Sequence, residues 1–123
     1  MLQAYSLNLA VGADTNIQFN SESVCKGCTA TKTGPDTFAL NKCGVYVVSV
    51  DASTEAATTI QLYKDGVAQP QAQSTGVSPA FTTIVQVDKN NSCCACDSPV
   101  ILQVKNTTAT TFTNANIVIT KLI

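Results

Sequence analysis

Gly44-Val45-Tyr46-Val47-Val48-Ser49-Val50 is the stretch on which the fold turns. It is dense in valine and apolar at odd and even positions alike, so it reads as a central strand buried on both faces. Period-two alternation spreads from it in both directions, the mark of strands rather than helices. Upstream, Phe38 and Leu40 form a short strand, Ile17 and Phe19 flank Gln18, and Tyr5, Leu7 and Leu9 alternate with Ser6 and Asn8. Residues 20–36 are polar and hold Gly27, Gly34 and Pro35, which reads as a long loop. Downstream, Ile60 and Leu62 share a face, and Asp65-Gly66 supplies a two-residue hairpin turn whose positions tolerate positive φ. Residues 67–79, with Pro70, Gly76 and Pro79, read as an edge strand plus loop. In Phe81–Val87, the residues Phe81, Thr83, Val85 and Val87 face one way and Ile84 the other. Val100, Leu102 and Val104 alternate with Ile101 and Gln103, and Ile117, Ile119, Lys121 and Ile123 alternate with Val118, Thr120 and Leu122. Eight to ten short strands without a helix predict an all-β antiparallel sandwich.

The 123 residues suit one domain, 1–123, with enough length for its own core. There is no Arg, the seven Lys are scattered, and the formal net charge is −1. That inventory speaks against nucleic acid, which asks for clustered cations and the bidentate Arg fork. Near-neutrality also protects poorly against self-association, a hint that the surface meets other copies. Residues 1–8 carry neither a basic segment nor a continuous apolar run, so no signal peptide is expected. No stretch reaches the roughly 20 apolar residues of a membrane span, so no membrane insertion is expected.

From Gly44 to Val50 the chain resembles the Gly-x-Tyr strand of the tumour-necrosis-factor and complement-globular-head jelly rolls. The likeness extends through Ile60-Gln61-Leu62-Tyr63-Lys64-Asp65-Gly66-Val67, similar to a hairpin of bacterial members, and through the closing strand Asn114–Ile123. The whole chain also resembles small phage and prophage proteins of Clostridia-like bacteria, with cysteines before the Gly-x-Tyr strand and before the penultimate strand. The resemblance implies a homotrimer used for display or attachment, as a head or tail fibre tip or a capsid decoration. It further implies a virion location after synthesis in the bacterial cytoplasm, with other virion proteins as partners. The alternative is an adhesin, in which loops 20–36 and 67–79 of the same trimer recognise a host-surface glycan or protein.

Six cysteines are the loudest chemical feature: Cys25, Cys28, Cys43, Cys93, Cys94 and Cys96. Cys25, Cys28, Cys93 and Cys96 could offer four thiolates to a structural zinc, although no cofactor is required. Disulfides among the six are the competing reading, each bridge contributing about 2–4 kcal/mol. A thioredoxin-type redox role is disfavoured, because nothing helical follows Cys28 to lower its thiol pKa.

Catalysis is not expected. The chain has no His, so Ser-His and Cys-His couples are absent, and its acids form no close pair along the sequence. Asp51 and Asp88 could supply oxygens to calcium at strand ends, against the commoner fate of solvated turn carboxylates. Asn106-Thr107-Thr108 fits the glycosylation triplet but has no secretory context. Tyr46 and Phe81 would be neighbours across a strand pair. One of them is expected to reach the threefold axis, with intramolecular core as the equal alternative.

Overall fold

The computed structural model describes residues 1–27, 29–87 and 99–123. These contain eleven strands and no helix: β1 (Leu2–Val11), β2 (Thr15–Asn16), β3 (Ser21–Cys25), β4 (Ala30–Lys32), β5 (Phe38–Leu40), β6 (Gly44–Thr54), β7 (Thr58–Lys64), β8 (Val67–Gly76), β9 (Ala80–Val87), β10 (Val100–Asn106) and β11 (Thr110–Lys121). One sheet runs β3-β1-β11-β6-β9. The other runs β4-β5-β10-β7-β8, with β2 added beside β10. All the pairings are antiparallel, and the two sheets form a jelly-roll sandwich.

The core fills the space between the sheets. Tyr46, Phe19, Phe38 and Phe112 are its bulkiest fully buried side chains, and Phe19 meets Phe38 edge to face at 5.5 Å between ring centres. Each such burial is worth about 1.5–3 kcal/mol. The strand pattern explains which residues arrive there. Tyr46, Val48 and Val50 point inward from β6, Ile60 and Leu62 from β7, Phe81, Thr83 and Val85 from β9, and Ile117 and Ile119 from β11.

Residues 67–79 are the expected edge strand plus loop, with β8 over 67–76 at a sheet edge and 77–79 as the loop. Three expectations are corrected. The 20–36 segment is not one long loop, because it contributes β3 and β4, short strands at the edges of opposite sheets. Strand β6 is buried on one face alone, since Val45, Val47 and Ser49 are only half-buried on the other. In β1 the apolar set faces the opposite way from the pattern: Leu2, Ala4 and Ser6 look into the core, while Tyr5 and Leu7 look outward. Ser6 can sit inside because its hydroxyl donates to the Gln18 carbonyl at 2.6 Å and accepts the Asn20 N–H at 2.8 Å. Asn8, at φ 52°, then shifts the alternation so that Leu9 and Val11 turn back to the core.

Two glycines are needed for their backbone. Asp65 (φ 51°) and Gly66 (φ 80°) form the expected turn between β7 and β8. Gly44, at φ 145°, opens β6 where the tail of the chain crosses. A Cβ there would strike the Ile123 carbonyl and lie 2.8 Å from Lys121 Cε. Gly44→Ala should therefore destabilise the fold by about 1–3 kcal/mol in urea titrations, whereas an unchanged midpoint would show that the tail yields freely.

An uncharged sheet face and the cysteine-bearing end

The outward face of the five-stranded sheet is built by register. Val47 of β6 lies opposite Ile84 of β9 and Thr120 of β11, and Ser49 opposite Thr82 and Val118. Gln3 of β1 follows Val118 in the same row, and Tyr5 stands opposite Asn116. Ile84 is 53% exposed and Leu7 60%, with Val45, Val47, Val118 and Tyr5 half-covered between them. Strands β1, β6, β9 and β11 contain only two charged residues, Asp51 and Lys121. Lys121 lies in the inward-facing row opposite Tyr46, at the end of its strand. Asp51 is the one carboxylate of those four strands, and its oxygen accepts the Asn116 amide at 3.0 Å. The edge strand β3 adds the exposed Glu22. Across β1, β11, β6 and β9 the face is thus broad and poor in charge.

Asp51 stands within β6, not at a strand end, and holds an amide rather than an empty oxygen cage. Among the described residues no group of three or more Cys, Asp or Glu is placed to hold a metal. Asp88, its sequence partner in that reading, lies outside the described residues, as do Cys28, Cys93, Cys94 and Cys96.

Of the other two cysteines, Cys25 ends β3 with a free, exposed thiol, opposite Leu2. A complete three-bridge pairing is therefore not formed. Cys43 is disulfide-bonded and directly precedes Gly44, which pairs with Val87. The start of β6 thus lies beside the end of β9, as the topology predicts. The Thr29 carbonyl accepts the Asn41 N–H at 2.8 Å, drawing the segment after Gly27 to this same end. The chain's last residues join it, for Val45 N–H donates to Ile123 and Leu122 N–H to Val45.

Tyr46 anchors that end from inside. Its hydroxyl donates to the Lys42 carbonyl at 2.7 Å, and the Thr29 carbonyl lies 3.2 Å away, so one proton is shared between two loop segments. The ring is 0% exposed, which removes Tyr46 from any contact with another chain. Phe81 is likewise part of the core cluster, and it lies opposite Val50 rather than Tyr46. Neither residue presents the expected contact surface, because each belongs to the inward row of its strand. The outward rows of these strands hold Val47 and Ile84 instead. Alternation had already separated Ile84 from Phe81, a signal that singled it out.

The opposite end is held by a buried polar knot. Asn106 donates to the carbonyls of Gly12 at 3.1 Å and Thr108 at 2.7 Å, and it accepts the Thr58 hydroxyl. Being 0% exposed, the Asn106 amide is closed to glycosylation in the folded chain. A shallow hollow beside it, lined by Ala10, Gly12, Glu55, Ala56 and Thr110, opens widely to solvent and carries a single carboxylate.

No family model and no curated protein matches the sequence. Solved structures do match the fold. The globular domain of zebrafish complement 1qA superposes with a TM-score of 0.76 at 10% identity, covering 99% of this chain and 96% of that one. Rabbit GITRL gives 0.62 at 14% identity, over 100% of this chain and 95% of that one. Murine APRIL gives 0.61 at 11% identity, over 98% of each. The chain therefore has the sandwich shared by complement globular heads and tumour-necrosis-factor-like ligands.

Burial raises the Tyr46 phenol above its ordinary value of 10.0. A phenol harder to ionise in the folded chain makes the unfolded chain lose its proton first. Stability should be unaffected by this group below about pH 10 and should fall as pH rises beyond it. Tyr46→Phe should remove that alkaline slope and, by taking the buried donor from the Lys42 carbonyl, cost about 1–3 kcal/mol at neutral pH. Unfolding midpoints of both proteins between pH 8 and 11 check both effects. Parallel profiles would contradict the assignment.

Proposed function

We propose that the chain is a non-catalytic display domain of a phage virion, assembled as a homotrimer through the outward face of its five-stranded sheet. The observation that carries this reading is the state of β6. Its sequence is apolar on both faces, yet the folded chain covers only one. The second face, continued by Val118, Tyr5, Leu7 and Ile84, bears a single carboxylate in its middle. Surfaces of this composition, large and depleted of charge, are those that protein interfaces bury. Lys and Glu, which would keep the face in water, are missing from the outward rows of β1, β6, β9 and β11.

The number three and the virion setting rest on the resemblance of the Gly44–Val50 strand, the Ile60–Val67 hairpin and the closing strand to their counterparts in jelly-roll trimers and phage proteins. The absence of His and of any sequence-adjacent acid pair supports a role without chemistry. The adhesin alternative loses much of one recognition loop, because residues 67–76 are strand.

Ile84→Lys places an ammonium on the exposed side of β9, at one edge of the face, without touching the core. It should weaken assembly by at least about 100-fold and yield single chains in sedimentation velocity, with the far-ultraviolet spectrum unchanged. Assembly that survives Ile84→Lys would move the interface elsewhere. For the setting, the chain should be found by mass spectrometry in gradient-purified phage particles, and its absence from them would refute the virion role.

A further inference from the structure

The two sheets differ in charge. Strands of the six-stranded sheet, with β2, contain Lys32, Lys64 and Lys105 and neither Asp nor Glu. Lys64 turns away, its ammonium donating to the Gln86 carbonyl at 2.8 Å. Lys105 stays on the outward face, its ammonium 5.4 Å from the centre of the Tyr63 ring. No carboxylate among the described residues pairs with it. Two acids of the loops around this sheet have partners of their own: Asp65 accepts the Ile101 N–H at 2.8 Å, and Asp36 accepts the Asn16 amide at 3.1 Å.

Around this pair the register sets planar amides. Gln103 lies opposite Tyr63, and Gln61 lies opposite both Lys105 and Gln73. Alternation with buried Ile60, Leu62, Leu102 and Val104 turns Gln61, Tyr63, Gln103 and Lys105 outward together. Amides both donate and accept, which suits sugar hydroxyls. A tyrosine ring offers an apolar face for the C–H side of a sugar, and a lone cation without a carboxylate partner suits one acidic group. Neighbouring strands repeat at about 4.8 Å, a spacing comparable to the length of one sugar unit. One outward lysine is too few for nucleic acid, whose binding grows with the number of phosphates neutralised.

We propose that the outward face of the six-stranded sheet, centred on Tyr63 and Lys105, binds an acidic polysaccharide, with a sugar carboxylate on Lys105 and a ring face against Tyr63. This rests on the assembly reading above, which occupies the other sheet's face and leaves this one outward.

The test is isothermal titration of the full chain with hexagalacturonate, with its carboxyl-reduced counterpart and with polyglutamate, alongside native mass spectrometry of the same sample. Saturable binding of hexagalacturonate alone is expected. Lys105→Gln and Tyr63→Ala should each weaken it at least about tenfold, while Tyr63→Phe, which keeps the ring, should retain most of it. Absent binding, equal binding of the reduced sugar or of polyglutamate, or folded variants that bind as the parent does would each overturn the inference. A trimer that fails to bind would refute this inference and leave the assembly reading standing. A single chain that binds would refute the assembly and support the site.

Discussion

The structure depends on β11 lying between β1 and β6. Its partners come from the start and the middle of the chain, Ala4 opposite Ile117 on one side and Val50 opposite Ile117 on the other. Until that last strand is in place, β1 with β3 and β6 with β9 remain separate pieces, each with an open edge. Their joining is a long-range closure of the kind that slows folding and rewards itself only at the end. The clash that a side chain at Gly44 would meet belongs to the same event, because the obstacle is the carbonyl of Ile123, just beyond β11. Tyr46, two residues into β6, then ties the loops above it with one buried hydroxyl.

That same insertion assembles the two surfaces that matter for function. Joining β1 to β6 through β11 makes Tyr5, Val118, Val47 and Ile84 parts of one continuous face. A sandwich satisfies only the inward half of each strand, so a strand apolar on both sides leaves a remainder. Here the remainder is concentrated on the five-stranded sheet, while the lysines collect on the other. The division gives each face a different chemistry, and the two proposals divide along it: copies of the chain on one, an acidic sugar on the other.

Much of the fold was legible in the sequence, and the failures are instructive. Phe81–Val87 and the closing strand read correctly because alternation, burial and β-branching agreed, whereas Gly44–Val50 is the expected strand but is buried on one face only. The facing of β1 did not, since Ser6 is buried by hydrogen bonds that no periodicity encodes, and Asn8 shifts the phase. Strands β3 and β4 were hidden in a polar segment because edge strands of three to five residues need little apolar content. Of the two readings of Tyr46 and Phe81, the intramolecular core is the one the structure shows, because both belong to the inward rows of their strands. Cys25 could not be told from its fellow cysteines, because a free thiol and a bridged one look alike in sequence.

The most direct test of the central claim is the native mass of the unmodified chain, purified without reductant or chelator at micromolar concentration. The account predicts three chains per particle, with the uncharged sheet face buried between them. A stable single chain under those conditions would contradict it, because the outward side of β6 would then stay only half-covered.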